Sequence, residues 1–207
     1  MRSRAHLTER LAACENLTLD NFGADGGFTS SGAPLYIEIG CGKGGFILGT
    51  AEKNPDINYI AFEKNLDVLV LAMEKVRAAG LENVRFAAGD AEILGQLETK
   101  TKADRIYINF CDPWKKHRHR KRRLTHKRFL KIYKEILAEG GEIHFKTDNA
   151  ALFEFSLNSF ADFDMRLKNI TLDLHNSGFE GNVMTEYERL FSEKGQPIYR
   201  CEAMFRA

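Results

Sequence analysis

Apolar and polar positions along this chain fall into short blocks that switch between the period of a strand and that of a helix. Leu35 to Ile39 is an apolar run ending in GCGKGG, and a helix is expected from about Gly45 to Lys53. Asn58 to Glu63 and Val84 to Ala88 read as the second and third strands. Between them, Leu66, Leu69, Val70, Met73 and Val76 recur at helical spacing, and the helix from Asn65 to Ala79 stops at Gly80. Ala103 to Phe110 is a fourth strand. Thr125 to Ala138 puts Phe129, Ile132, Tyr133, Ile136 and Leu137 on one helical face, and Gly140-Gly141 reads as its end. Glu142 to Phe145 follows as a fifth strand and Ala151 to Phe160 as a helix. Two last strands are expected near Phe163 to Thr171 and Ile198 to Phe205, with a helical Thr185 to Phe191 between them.

Strands alternating with helices predict right-handed crossovers and a mostly parallel sheet. Ligands of such sheets bind beyond the carboxyl ends of the strands. Gly40 to Gly45, Glu63, Asp90, Asp112 and Asp148 all fall at such ends. Upstream, His6 to Leu19 has helical character and Asp20 to Pro34 is rich in Gly and Ser. Residues 1–34 are therefore expected to be an N-terminal arm and linker, with the folded domain over 35–207. Arg2 and Arg4 suit a polyanion, although basic residues at loose termini often serve solubility alone.

Length changes the picture little: 207 residues suit one domain with a sizeable core. No apolar run reaches the ~20 residues of a membrane span, and the N-terminus lacks a signal-peptide core. Cys14, Cys41, Cys111 and Cys201 are scattered without paired spacing. This argues against a disulfide framework or a zinc site and favours a reducing, cytoplasmic setting. Charge changes the picture more. The net charge is only +1, yet Lys115 to Lys134 holds eleven of the 30 Lys and Arg residues and no Asp or Glu. Such a run is expected to meet a polyanion rather than to be a solvated helix face. It has few aromatics beyond Trp114, which points to phosphate contact rather than base stacking. His117 and His119 alternate with cations, which disfavours a metal, and His144 is expected to be a satisfied core histidine.

The glycine loop fits both GxGxG and GxGxxG, a pattern that lets backbone approach a ligand closely. Glu63, about twenty residues on, suits the two hydroxyls of a ribose. Those two features do not separate a dinucleotide from S-adenosylmethionine. Glu38 does favour the latter, because a carboxylate just before the glycines suits an ammonium or sulfonium and repels a pyrophosphate. Asp90 suits an adenine amine, or is a helix N-cap ahead of Ala91.

Asp112-Pro113-Trp114 follows the fourth strand and is similar to the Asp/Asn-Pro-Pro-aromatic signature of amino methyltransferases, one proline short. A plain strand-to-turn exit is the bland alternative. Asp148, in KTDN, either holds substrate or caps the next helix. Thr185-Glu186-Tyr187-Glu188 either opens a helix as a capping box or offers carboxylates to the donor edge of a guanine.

Taken together, EIGCGKGGF, FEKN, GDA, NFCDPW with its basic run, KTDN and TEYE resemble the bacterial tRNA (guanine-N7-)-methyltransferases. The resemblance spans Glu38 to Glu188. It implies an α/β, Rossmann-like class I methyltransferase fold with a mostly parallel seven-stranded sheet and helices on both faces. It implies S-adenosyl-L-methionine as the methyl donor, contacted by Glu38, Gly40, Gly42, Glu63, Asp90 and Asp112, with Asp112 catalytic. It further implies that Lys116, Asp148, Thr185, Glu186, Tyr187 and Glu188 hold the tRNA substrate, and that Arg118, His119, Arg120, Lys121, Arg122 and Arg123 form an RNA surface. No metal or membrane partner is implied; monomer and homodimer both stay open. Three positions depart from the family pattern: Cys111 stands where serine is usual, Lys115 where a second proline often follows, and His117 where lysine is common. A methyltransferase acting on another nucleic-acid atom, an NAD-dependent oxidoreductase and an RNA-binding module with a vestigial fold are the rival readings.

Overall fold

A computed structural model describes residues 4–19, 28, 31–96 and 101–206. The chain forms two compact units, residues 1–101 and 102–207, and together they carry a seven-stranded, mostly parallel sheet.

In the first unit, β1 (Leu35–Ile39), β2 (Asn58–Glu63) and β3 (Val84–Ala88) lie in the order β3-β2-β1, all parallel. Tyr59 to Phe62 of β2 are completely buried. This is why that strand reads as a continuous apolar run rather than an alternation. Helix α2 (Gly45–Lys53) buries Phe46, Ile47 and Ala51, and α3 (Leu66–Ala78) buries Leu69, Val70, Met73 and Val76. The Asn65 side chain caps α3 by accepting from Asp67 N, and Gly80 at φ +68 ends it. Ahead of β1, helix α1 (Arg4–Ala12) and a 3₁₀ turn (Glu15–Leu17) replace the single helix expected from His6 to Leu19. Cys14, Leu17 and Leu19 are buried, Arg10 binds Glu74 through two bonds of 2.7 and 2.6 Å, and Leu19 N donates to Phe86 O. Arg2, the Arg4 side chain and most of the Gly/Ser-rich stretch lie outside the described residues.

In the second unit the order is β4-β5-β7-β6, formed by β4 (Ala103–Asn109), β5 (Leu137–Thr147), β6 (Met165–Thr171) and β7 (Tyr199–Phe205). β5 runs parallel to β4, and β7 runs antiparallel to both β5 and β6. Helix α4 (Lys127–Ile136) buries Phe129, Leu130 and Tyr133. Helix α5 (Ala150–Asp162) buries Leu152, Phe153 and Phe160, and the short α6 (Glu186–Ser192) precedes β7.

One boundary differs from expectation. Helix α4 ends at Ile136 and β5 starts at Leu137, so Gly140-Gly141 lies inside the strand and does not terminate the helix. From the Ala103–Leu137 pair to the Arg105–Glu142 pair, β4 advances two residues and β5 five. The extra residues form a bulge around Gly140, whose φ is +75. A side chain on Gly141 would stand 2.9 Å from Ala138 O and 3.1 Å from Ala103 O. Glycine is therefore required here by a close backbone approach, a use that a sequence pattern does not separate from a helix stop.

Candidate functional site

The first unit gathers acidic groups around the glycine loop. Gly40, Gly42 and Gly44 all have positive φ, at +78, +56 and +80, and Gly40 N and Cys41 N both donate to Phe62 O at the end of β2. Glu63, the last residue of β2, accepts from Gly42 N through Oε2 at 3.1 Å and from Asn65 N through Oε1 at 3.0 Å. Its carboxylate thus ties the glycine loop after β1 to the start of α3. A Cβ built on Gly40 or Gly42 meets no atom within 4 Å, so the space over this loop is open, whereas one on Gly44 would lie 2.6 Å from Ala72 Cβ. The first two glycines leave room for a ligand; the third lets α2 start against α3. Glu38 is buried in β1, two residues ahead of Gly40. Asp90, just after β3, is exposed, and its Oδ1 accepts from Glu92 N at 2.9 Å. That bond closes a local turn just ahead of a 3₁₀ turn (Ile93–Gln96) rather than capping a helix that starts at Ala91, and it leaves carboxylate lone pairs for a ligand.

In the second unit, β4 and β5 end in two loops. Phe110 N donates to Lys146 O, the last rung between these strands, and Phe110 then turns the chain out with φ +51. Cys111 is half-buried. Burial, and then the Asp112 charge beside it, pushes its thiol pKa up to about 12, which disfavours the thiolate. Asp112 is exposed. Trp114 again has positive φ, +42, with the Arg122 guanidinium 4.9 Å from its ring centre and the His119 ring edge-on at 5.7 Å.

The basic segment forms a 3₁₀ turn over His117–Arg122. Lys116 precedes it and is exposed, as are Arg118, Arg120, Lys121 and Arg122; His119 is half-buried. His117 and His119 meet arginines, through Arg120 Nη1 at 2.9 Å and Arg118 Nε at 3.3 Å. Arg123 behaves differently from its neighbours. It turns inward, donating from Nε to Pro113 O at 2.9 Å and from Nη2 to Trp114 O at 3.4 Å, and stacks 4.5 Å over the Phe155 ring of α5.

Beyond β5, Asn149 and not Asp148 caps α5, its side chain accepting from Leu152 N. Asp148 instead receives Gln196 Nε2 at 3.5 Å and interacts with the Tyr187 hydroxyl. Burial, then the Asp148 charge, raises the pKa of Tyr187, which stays a phenol. The Tyr187 ring is exposed, lying 5.2 Å from Phe110 and stacked on Phe191 at 4.3 Å. Thr185 caps α6 by accepting from Glu188 N at 2.8 Å. Glu188 is fully buried, and both carboxylate oxygens are engaged: Oε2 by Lys146 Nζ at 2.7 Å, Oε1 by Asn182 Nδ2 at 2.6 Å and by His175 at 3.3 Å. Half of the expected capping box is therefore present, while the glutamate is diverted to an ion pair. Lys146, also buried, completes its donors on Asn182 Oδ1 and Val183 O. Sequence reasoning singled out Asp148 and Thr185 to Glu188 but missed Lys146, Asn182 and His175. A lysine directly after the apolar Phe145, near the end of β5, was the signal available.

A second acidic cluster lies on the same sheet. Ligand atoms of Glu142, His144 and Glu202 fall within 4.8 Å of one another. Cations already fill it: Lys168 bonds both carboxylates, Arg200 bonds Glu202, and Arg105 Nη2 is 3.6 Å from Glu142. His144 Nε2 is 2.8 Å from Glu142 Oε2, the satisfied histidine that its strand position foretold. Burial, then the Arg105 charge, lowers its pKa to about 4.

Comparison with known proteins carries the assignment further. The model of a family described as "Putative methyltransferase" matches residues 32–201. A tRNA (guanine-N(7)-)-methyltransferase of Streptococcus thermophilus is 56% identical over 173 residues, covering 84% of this chain and 81% of that protein. One from Bacillus velezensis is 54% identical over 173 residues, covering 84% and 80%. Two solved structures share the fold at low identity. An antibiotic related methyltransferase has TM-score 0.67 at 18% identity over 93% of this chain and 98% of that one. The 16S rRNA methyltransferase KamB has TM-score 0.67 at 12% identity, over 89% and 94%. The fold is thus that of Rossmann-like methyltransferases, and by its match to these relatives over most of its length the chain belongs to the bacterial tRNA (guanine-N(7)-)-methyltransferase family.

Proposed function

We propose that this protein transfers a methyl group from S-adenosyl-L-methionine to N7 of a guanine in the tRNA variable loop, in the cytoplasm, with residues 35–207 as the methyltransferase domain. The observation that carries the reading is the set of carboxylates at consecutive strand ends: Glu63 anchoring an open glycine loop after β1, Asp90 after β3, and Asp112 exposed at the head of a cationic segment. The residues around the loop fit the donor. Glu38 is a buried carboxylate suited to a cationic amino acid, Glu63 has the position of a ribose acceptor, and Gly40 and Gly42 leave room above the backbone. S-adenosylmethionine supplies a methyl group on a sulfonium.

Guanine N7 holds a lone pair in the base plane and carries no proton, so no general base is needed. What the protein must do is hold N7 at near-attack distance. Asp112 steadies the positive charge that appears on the purine and orients the base. Asp148, with Tyr187 on it, and Glu186 offer acceptors to the guanine edge, and Thr185 fixes the start of α6. Glu188, sealed against Lys146, serves this subsite by holding α6 in place. Lys116, Arg118, His119, Arg120, Lys121 and Arg122 face the tRNA backbone. Exposing the base costs roughly a few kcal/mol, which phosphate contacts offset.

The test is methyl transfer from labelled donor to unmodified tRNA transcript, with the modified base identified. Asp112→Asn is expected to lower turnover by roughly 10²-fold or more while donor affinity stays within a few fold. Wild-type turnover in that variant rules out the role given to Asp112. Label on an adenine, or none at all, favours the rival readings of a different target atom or an RNA-binding module.

A further inference from the structure

Arg123 sits among exposed cations, yet it is half-buried and its guanidinium is engaged by the protein itself. Two non-glycine residues, Phe110 and Trp114, take left-handed backbone conformations on either side of Cys111, Asp112 and Pro113. Such conformations persist only where surrounding structure over-determines them. Here the restraint comes from ten residues downstream. Arg123 Nε donates to Pro113 O at 2.9 Å and Nη2 to Trp114 O at 3.4 Å, so one planar fork holds two successive carbonyls. The same guanidinium lies 4.5 Å over Phe155, so the fork is referenced to helix α5, which Asn149 caps two residues after β5. On the other side of the loop, Arg122 and His119 pack against the Trp114 ring. Burial, then the charge of Arg120, lowers the Arg123 pKa from its ordinary value, as expected for a cation drawn away from water.

We propose that Arg123 is a positioning residue of the methyl-transfer centre: its fork fixes the Asp-Pro-Trp loop, and with it Asp112, while its charge makes no phosphate contact with tRNA. The proposal rests on the reading of Asp112 given above. Lysine cannot reproduce the function, because an ammonium is a point donor and lacks the planar fork that spans two carbonyls and stacks on a ring. The run of cations is thus divided. The side chains before Arg123 meet RNA, and Arg123 converts the end of the run into a brace for the residue they deliver RNA to.

The experiment compares Arg123→Lys, Arg123→Met, Lys121→Ala and Asp112→Asn in the full chain. Three readouts are used: single-turnover methyl transfer at saturating tRNA, tRNA affinity as a function of salt, and donor affinity. Both Arg123 variants are expected to lose ten-fold or more in single-turnover rate with donor affinity within two-fold. The slope of log affinity against log salt should stay at the wild-type value. Lys121→Ala, an exposed cation, should reduce that slope by about 0.7 to 0.9, the share of one neutralised phosphate. A structural defect alone would lower donor binding and the melting temperature together, without sparing the slope. If Arg123→Met fails to fold, Arg123→Lys decides, since it keeps the charge and the stem over Phe155. A wild-type rate in Arg123→Lys, or a slope reduced by one phosphate in either variant, overturns the proposal. A wild-type rate in Asp112→Asn beside a lowered rate in Arg123→Lys keeps the brace and removes only the role given to Asp112.

Discussion

The loop after β1 and the loop after β4 both leave a parallel strand and both present the chemistry of their unit, yet they are shaped by opposite means. The first uses glycines. Gly40, Gly42 and Gly44 enter left-handed backbone at no steric cost, and distant help comes from two adjacent residues at the end of the neighbouring strand, the Phe62 carbonyl and the Glu63 carboxylate. The second uses Phe110 and Trp114 in the same region of backbone space, where side chains resist. It is held by groups remote in sequence: Arg123 on the Pro113 and Trp114 carbonyls, and the buried Lys146–Glu188 pair that joins the end of β5 to α6. A binding loop that only has to let a ligand approach can be specified locally. A loop that has to aim a carboxylate is specified by the tertiary structure around it.

The largest effect that separates the two is expected at Glu188. Glu188→Leu leaves the Lys146 ammonium buried without its counter-charge and should cost about 3–5 kcal/mol in urea unfolding. The double variant Lys146→Met/Glu188→Leu should recover most of that loss. A single variant as stable as the parent would mean the pair does not brace this region. Next comes Gly44→Ala in the first unit, where a methyl group would meet Ala72 Cβ at 2.6 Å in a backbone of φ +80. Strain and overpacking together should cost about 2–4 kcal/mol, read as a lower melting temperature. Gly42→Ala, with open space above it, should lose less. Equal losses at the two positions would show that backbone strain alone, and not helix packing, selects glycine at Gly44.

The smallest effect concerns the filled acidic cluster. His144 faces Glu142 on its own strand, Arg105 on β4, Glu202 and Arg200 on β7, and through both carboxylates Lys168 on β6. Its folded pKa of about 4 lies below the unfolded value near 6.5. The unfolded chain therefore binds the extra proton between those values. Stability from this residue is complete above pH 6.5 and falls as pH drops toward 4. Glu142 and Glu202 have lowered pKa values and lose their contributions in the same direction, but only at pH below their unfolded value near 4.5. His144→Asn should thus flatten the stability profile between pH 6.5 and 4.5, an effect on the order of 1 kcal/mol. An unchanged slope in that window would place its origin in another group.

Much of the architecture was legible because its signals are local. Asn58 to Glu63 read as a strand, Asn65 and Gly80 as the ends of α3, and the strand-end acids fell where a parallel sheet puts its ligands. The misread boundary at Gly140-Gly141 has a physical reason: the same residue pair serves a helix stop and a strand bulge, and only the Ala103 carbonyl on the adjacent strand decides between them. At the site, Glu63 was read as a ribose acceptor, and in the structure its carboxylate ties the glycine loop to the start of α3. Asp148 and Thr185 were found as alternatives between cap and contact; the structure gives the α5 cap to Asn149 and the α6 cap to Thr185. Arg123 was grouped with its cationic neighbours because charge is visible in sequence, whereas the direction of a side chain is not.

What this sequence determines unaided is the order of strands and helices, the glycine loop with its neighbouring acids, and the concentration of positive charge after β4. Each depends on residues within one or two turns of chain, where propensity and spacing act directly. What only the tertiary structure decided is the partition of that charge and of those acids. Arg123 is turned inward by two carbonyls and a ring, Glu188 is withdrawn from solvent by Lys146, Asn182 and His175, and Glu142 with Glu202 is neutralised by arginines of β4 and β7 and a lysine of β6. A charge is free to act or bound to structure according to what lies within about 4 Å of it, and that neighbourhood is made of residues far apart in the chain.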